Sequence, residues 1–445
     1  MRDRRYIGNI DNQIAKEQRQ QRAGMVLVTY TIEHTEGRHR FVAEERGEKV
    51  PERLLAKLWR ERAARQSSLR TQAGKRVRVV YPGRPGTAAG PDFRDAIVEV
   101  EGLGTVRGDV ELHLRQRDWD AHGHGGDPNY NGVVIHGALE VESEQTRLYS
   151  GVQAPLVDLG ALLNEPGPAE DGVFDLWHLL AGKGFARPES EAEATEVLER
   201  AGDARFMAKA RWLGQSINDL GPDQALYQAL MEGLGYSTNR RPFLELASRA
   251  PYGVLEAEAK QAAPDGRRWK IYGWLAACSG LTEAYTTRPR GMDPAMDRKE
   301  WRLFRVRPSN HPLRRIMGAA QIIERYLESG LASGLVELAA GGNAAKLTKR
   351  LVVAGSDGPA PVGTGRARDL AVNAVLPFVH ARGRWEGPRW SNALDLYRGF
   401  PKLADNELTR EMKAQLLPAH WHGTVSNARR QQGLLHLSAL LKGAF

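Results

Sequence analysis

Residues 90–141 read GPDFRDAIVEVEGLGTVRGDVELHLRQRDWDAHGHGGDPNYNGVVIHGALEV. Ala96–Val100 and Val106–Leu114 are rich in β-branched and apolar residues and are separated by the glycine-bearing turn EGLG, which predicts a β-hairpin. A loop of Gly, Asp, Pro and Asn follows, and Gly132–Val141 is the next strand. Side chains alternate across a strand, so Asp109, Glu111 and His113 share one face while Val110, Leu112 and Leu114 share the other. Two carboxylates and an imidazole are costly to bury unless they are paired or bind a metal. The hairpin brings Asp92, at the lip of the first strand, back beside Glu111 and His113. Carboxylates converging there suit a hard divalent cation, Mg²⁺ or Mn²⁺, held by Asp92 and Glu111 with Asp109 as a helper.

Working outward from this stretch, PERLLAKLWRERAARQ (51–66) predicts a helix. Pro51 suits its first turn, and Leu54, Leu55, Leu58 and Trp59 form its apolar stripe. Arg76–Tyr81 is a short strand ended by the turn-forming PGRPGTAAGP. Residues 1–24 are a polar, Gln- and Arg-rich extension, and the apolar run from Met25 opens the folded part. From about residue 160 the strand-like alternation gives way to Leu and Ala at helical spacing. Helices are predicted at 190–201, 203–219, 223–234, 241–248, 312–329, 334–340, 405–416 and 426–442. The expected organisation is an α/β domain over 25–160 and a mostly α-helical domain over 161–445.

The chain has 445 residues, 41% of them hydrophobic and 26% charged, which excludes wholesale disorder. No apolar run approaches a membrane span, and the N-terminal residues lack the apolar core of a signal peptide. The single cysteine, Cys278, excludes an internal disulfide and any cysteine-built metal cluster, and a cytoplasmic location is expected. Net charge is +9 and unevenly spread. Residues 51–90 carry ten Lys/Arg against two Glu, residues 91–140 carry four Arg against ten Asp/Glu, and residues 301–350 carry nine Lys/Arg against three Glu. An acidic segment flanked by basic ones is what a metal site meeting a phosphate backbone requires, although solvated helix faces produce the same fluctuation.

A second polar cluster comprises His122, His124, Asp127, Asn129 and Tyr130, with His136 on the next strand. Two imidazoles and a carboxylate suit zinc or iron, and the same residues also serve to knit a loop together. Asp127-Pro128-Asn129 fits an Asx turn, and His136 fits a half-buried structural histidine. For nucleic-acid contact the candidates are Arg60 and Arg62 on the first helix, Arg307, Arg314 and Arg315 in VRPSNHPLRRI, and Arg429 and Arg430. The last two stand in the first turn of a helix opened by Ser426, where basic groups oppose the helix dipole. An anion or carboxylate is therefore expected beside them. Trp212, Trp269, Trp274 and Trp301 are expected in the core.

The order of helix, strand, Pro91-Asp92, strand, turn and a strand bearing Glu111-Leu112-His113 resembles the PD-(D/E)xK, or restriction-endonuclease-like, nuclease superfamily. That resemblance implies a mixed sheet, Mg²⁺ on Asp92 and Glu111, and His113 where the superfamily carries lysine. The runs GPDFRDA, GDVELH, HGHGGDPNYN, NRRPF, RPSNHPLRR and NARRQQGLLHL resemble the bacterial family known as domain of unknown function 2851, which has no established activity. The expected function is a Mg²⁺-dependent nuclease or nuclease-like protein acting on nucleic acid, DNA first, with Asp92, Glu111 and His113 as its catalytic set. The alternatives are a non-catalytic nucleic-acid or protein docking module on the same fold, and a zinc- or iron-dependent hydrolase using His122, His124 and Asp127.

Overall fold

The computed structural model describes residues 52–441 apart from 66–68, 87–89, 164–175, 237, 286, 304–305, 356–357 and 387–391. The polar extension 1–24 and the apolar run from Met25 lie outside the described residues. The described residues divide into two compact units, one of residues 52–187 with 438–441 and one of residues 188–437. The first carries a mixed sheet of seven strands, and the second is mostly helical.

In the first unit helix α1 (Glu52–Arg62) precedes β1 (Val77–Tyr81), β2 (Arg84–Pro85), β3 (Phe93–Val100) and β4 (Gly104–Arg115). The short helix α2 (Asp118–Ala121) leads to β5 (Val133–Glu140), β6 (Gln145–Arg147) and β7 (Gln153–Asp158). The sheet runs β1-β3-β4-β5-β7-β6, with β2 paired to β3. β1, β3 and β4 are antiparallel neighbours, whereas β4–β5 and β5–β7 are parallel. The sequence pattern predicted β1, β3, β4 and β5 but missed β2, β6 and β7. Two of the three missed strands have three residues or fewer, too short to show a period.

One face of the sheet is apolar. Leu55, Trp59 and Ala63 from α1 and its continuation pack with Val77, Val79, Phe93, Val98, Val110, Leu112, Ile135 and Val157. The indole Nε1–H of Trp59 donates to the Pro82 carbonyl at 2.9 Å, which satisfies that buried polar atom. The opposite face holds a smaller apolar cluster of Trp119, Tyr130, Val133, Leu148 and Ala154, and beside it lie the histidines described below.

In the helical unit one apolar core extends from Phe206 to Ala428. Glu191–Leu220 is a single helix where the pattern at Gly202-Asp203 suggested two. Gly202 is a site of close approach. A Cβ there would lie 2.2 Å from the Arg429 carbonyl oxygen, and the Tyr397 hydroxyl donates to the Gly202 carbonyl at 2.8 Å. Gly433 on the facing helix (Ala428–Leu441) is similarly tight, with a Cβ position 2.1 Å from the Leu198 carbonyl oxygen. Glycine is required at both positions by backbone proximity, although neither breaks its helix. Trp301 is buried, and Trp269 and Trp274 pack against the core, as expected. Trp212 is 45% exposed, because the buried stripe of its helix runs through Phe206, Ala210 and Leu213 and leaves residue 212 to one side. Among the described residues, no helix is long and apolar enough to cross a membrane.

The helix Ala428–Leu441 is capped by Asn427, whose Oδ1 accepts from the Arg430 N–H at 2.9 Å, and not by Ser426. The basic first turn finds its carboxylates within the same unit. Arg429 donates to Asp203 (Nε–Oδ1 2.8 Å) and to Glu199, and Arg430 Nε donates to Glu199 Oε1 at 2.9 Å. Burial acts to raise the Asp203 pKa, but hydrogen bonds from Arg429 and Arg398 outweigh it and hold the carboxyl below its usual value. A depressed acid pKa contributes stability above the unfolded value, and that stability is lost as pH falls through the folded one. We therefore expect Arg429→Ala to cost about 1–3 kcal/mol at pH 7. In urea unfolding the gap to wild type should narrow below about pH 4. A gap independent of pH would mean that Arg429 stabilises by packing alone.

Candidate functional site

The site is built on a register shift. Val98 pairs with Val106 and Ala96 with Gly108, but Phe93 pairs with Val110, so three steps on β3 match two on β4. The extra residue is taken up near Asp95, whose φ of 62° lies in the left-handed region that Asp tolerates better than most side chains. Without this bulge Asp92 would stand opposite Leu112, on the apolar face. With it, Asp92 stands opposite Glu111, on the polar face. The Asp92 backbone N–H donates to Glu111 Oε2 at 2.9 Å, and Asp92 Oδ2 accepts from the Leu112 N–H at 3.0 Å.

Four imidazoles gather beside this pair. His113 follows Glu111 by two residues on β4 and is 1% exposed. His136 on β5 is fully buried, its strand position paired with Glu111 in the parallel ladder. The β4–β5 crossover folds back over the polar face through α2 and two single turns, His124–Gly126 and Pro128–Tyr130, and supplies His122 and His124. His113 Nδ1 lies 2.9 Å from His136 Nε2, and His136 Nδ1 lies 2.7 Å from Thr146 Oγ1. On its other side His113 Nε2 lies 3.2 Å from His122 Nδ1. Glu111 Oε1 is 3.2 Å from His124 Nε2 and 3.8 Å from His113 Nε2. The ligand nitrogens of His113, His122 and His124 all lie within 4.8 Å of one another.

Aromatic rings hold the cluster in place. Tyr130 stacks on His124 with centroids 3.9 Å apart, and Trp119 packs edge-on to His124 and against His136. Burial, followed by repulsion from His136, His124 and His122, lowers the His113 pKa to about 3. Burial, followed by His124, lowers that of His136 to about 4. Burial and then His122 lower that of His124. His113, His124 and His136 are therefore held toward the neutral form, which accepts hydrogen bonds and ligates metals.

The other residues singled out in the sequence have different surroundings. Asp109 Oδ2 pairs with Arg94 Nη1 at 3.2 Å and its Oδ1 accepts from the Asp95 N–H, so it braces the bulge. Asp127 is an N-cap, its Oδ1 accepting from the Asn129 N–H at 2.8 Å, which is the Asx turn expected there. Asp127→Ala should cost about 1 kcal/mol in thermal unfolding, and an unchanged midpoint would mean that the cap contributes nothing. Arg60 and Arg307 are exposed. Arg62 donates to the Leu162 carbonyl at 3.2 Å. Arg314 and Arg315 are each 4% exposed and donate to the carbonyls of Pro359 and Pro361. With Arg429 and Arg430 on the carboxylates expected beside them, five of the seven arginines have protein partners, and the carbonyl partners of Arg62, Arg314 and Arg315 are the ones that could not be foreseen from the sequence. Tyr130 stood in the second polar cluster expected from the sequence, whereas Thr146 and Trp119 join the site only in the structure. The sequence signal for Trp119 is a large aromatic in a loop, in RDWD, where exposure would make it unusual, and Thr146 offers no such signal.

The family model described as protein of unknown function (DUF2851) matches residues 52–402. The chain belongs to the DUF2851 family. No curated protein and no solved structure matches it. Every residue of the imidazole and carboxylate cluster, from Asp92 to Thr146, lies inside the DUF2851 match, whereas Arg429 and Arg430 lie beyond it.

Proposed function

We propose that this chain is a divalent-metal-dependent phosphodiester hydrolase, a nuclease whose substrate is nucleic acid, DNA first. The observation that carries the reading is the bulge that sets Asp92 against Glu111 on the face shared with His113. A residue in the left-handed region and a broken register are maintained where a straight hairpin would hide Asp92 among apolar side chains. The placement of a Pro-Asp element against a Glu-x-His strand in a mixed sheet supports the PD-(D/E)xK resemblance. A bound divalent ion supplies Lewis acidity to a phosphate oxygen and to water. Glu111 and Asp92 would contribute the negative charge that holds such an ion, and the imidazoles of His113, His122 and His124 stand beside them as nitrogen donors.

A non-catalytic docking module is the second reading. It is favoured by the backbone N–H groups that the carboxylates of Asp92 and Glu111 already accept, because such bonds also serve a purely structural network. The deciding test is incubation of the full chain with supercoiled plasmid, single-stranded DNA and RNA in Mg²⁺, Mn²⁺ or Zn²⁺, with chelator as control. Chelator-sensitive cleavage supports the hydrolase. Its absence on all three substrates, with binding retained, supports docking. Nucleic-acid affinity should fall steeply with salt, and Arg60→Ala should flatten the slope by about one unit if Arg60 contacts a phosphate. An unchanged slope would remove Arg60 from the interface.

A further inference from the structure

We infer that His113, His122 and His124, with Glu111 Oε1, form one site for a late first-row divalent ion of the zinc or ferrous kind, and that His136 and Thr146 are its positioning residues. The inference deepens the reading of this cluster as a metal-dependent centre and names the ion class. Three imidazole nitrogens and one carboxylate oxygen are a borderline-soft donor set, which suits zinc or iron and is unlike the all-oxygen shell that Mg²⁺ demands. Tetrahedral donors about 2.0–2.1 Å from zinc stand about 3.3 Å apart. His113 Nε2 to His122 Nδ1 is 3.2 Å, His124 Nε2 to Glu111 Oε1 is 3.2 Å, and His113 Nε2 to Glu111 Oε1 is 3.8 Å. The His113–His122 and His124–Glu111 pairs therefore stand near ligation spacing, and the three imidazole nitrogens lie within 4.8 Å of one another.

The buried chain behind His113 sets which nitrogen is bare. When His136 Nδ1–H donates to Thr146 Oγ1, His136 Nε2 is an acceptor, His113 Nδ1–H donates to it, and His113 Nε2 is left with its lone pair facing the cluster. When the chain runs the other way, Thr146 donates and His113 Nε2 carries the hydrogen, which blocks ligation. The acceptor oxygen at position 146 thus supports the ligating tautomer, in the way that outer partners orient metal-bound histidines generally. His122 is exposed, so its ring is added to the site from the crossover and its loss leaves the strands intact.

The test is titration of the metal-free full chain with Co²⁺, followed by visible absorption, with Zn²⁺ as competitor. One Co²⁺ per chain with intense ligand-field bands, displaced by Zn²⁺ and not by millimolar Mg²⁺, is the expected result. His122→Ala should weaken Co²⁺ binding by about a hundredfold or more with circular dichroism unchanged. Thr146→Val should weaken it by about tenfold to a hundredfold, and Thr146→Ser should restore it. Absence of the bands in wild type, or wild-type affinity in His122→Ala, overturns the site. Equal affinity in Thr146→Val and wild type overturns the positioning role. The two proposals fail separately. Co²⁺ binding without cleavage of any nucleic acid would sink the nuclease reading and leave the site standing. Mg²⁺-dependent cleavage in a chain that binds no Co²⁺ would do the reverse.

Discussion

Glu111→Gln is expected to lower metal-dependent cleavage by at least about a hundredfold while leaving the folded state in place. The reason lies in the two oxygens. Oε2 accepts the Asp92 N–H at 2.9 Å, and a glutamine carbonyl can accept the same bond. Oε1 faces His124 and His113, and there an amide NH₂ replaces a negative oxygen and can donate to a neutral imidazole. Size and hydrogen bonding are retained, and only the charge that attracts a cation is lost. Asp92→Asn follows the same logic, since its Oδ2 serves the Leu112 N–H. Cleavage kinetics and circular dichroism on both variants separate the outcomes. Wild-type cleavage by Glu111→Gln removes Glu111 from the reaction. Unfolding of both variants would mean that the charges are structural.

Trp119→Ala should destabilise the first unit by about 3–5 kcal/mol, the range for a large aromatic deleted from a packed interior. Trp119 is 1% exposed and joins Tyr130, Val133, Leu148 and Ala154. Its ring also lies against His113, His124 and His136, with centroids 6.4, 5.4 and 5.1 Å away. The cavity would therefore open next to the imidazoles, and Co²⁺ affinity should fall together with stability. Trp119→Phe should cost far less, because Trp119 Nε1 finds no hydrogen-bond partner among the described residues and nothing polar is lost with it. Urea unfolding of both variants checks this. Equal losses for Phe and Ala would mean that the indole makes a polar contact, for instance to bound water.

The residues of 90–141 determined by themselves that a polar face lies on β4. Period-two alternation is a local property, and Asp109, Glu111 and His113 could share only one side. The apolar stripe of α1 and the helical texture after residue 160 were equally local. The sequence also placed Asp92 near Glu111, because a tight turn at EGLG leaves the strand ends no other meeting point. What it could not supply was the bulge near Asp95, since a one-residue shift comes from the competition between Asp95, Asp109, Arg84 and Arg94 for one another and for the backbone. Without that shift the same residues would put Asp92 on the wrong face.

Only the tertiary structure decided which histidines belong together. In the sequence His122 and His124 stood with Asp127, and His113 with the carboxylates. The parallel pairing of β4 with β5 and the return of the crossover over the sheet merged the two sets and left Asp127 as a cap. The arginines follow the same principle. A guanidinium in the sequence is an unassigned positive charge, and Arg62, Arg314, Arg315, Arg429 and Arg430 acquired partners from carbonyls and carboxylates as much as 231 positions away. Periodicity reaches a few residues along the chain. Charge and hydrogen-bond partners are chosen across it, and that choice is made when the strands and helices pack.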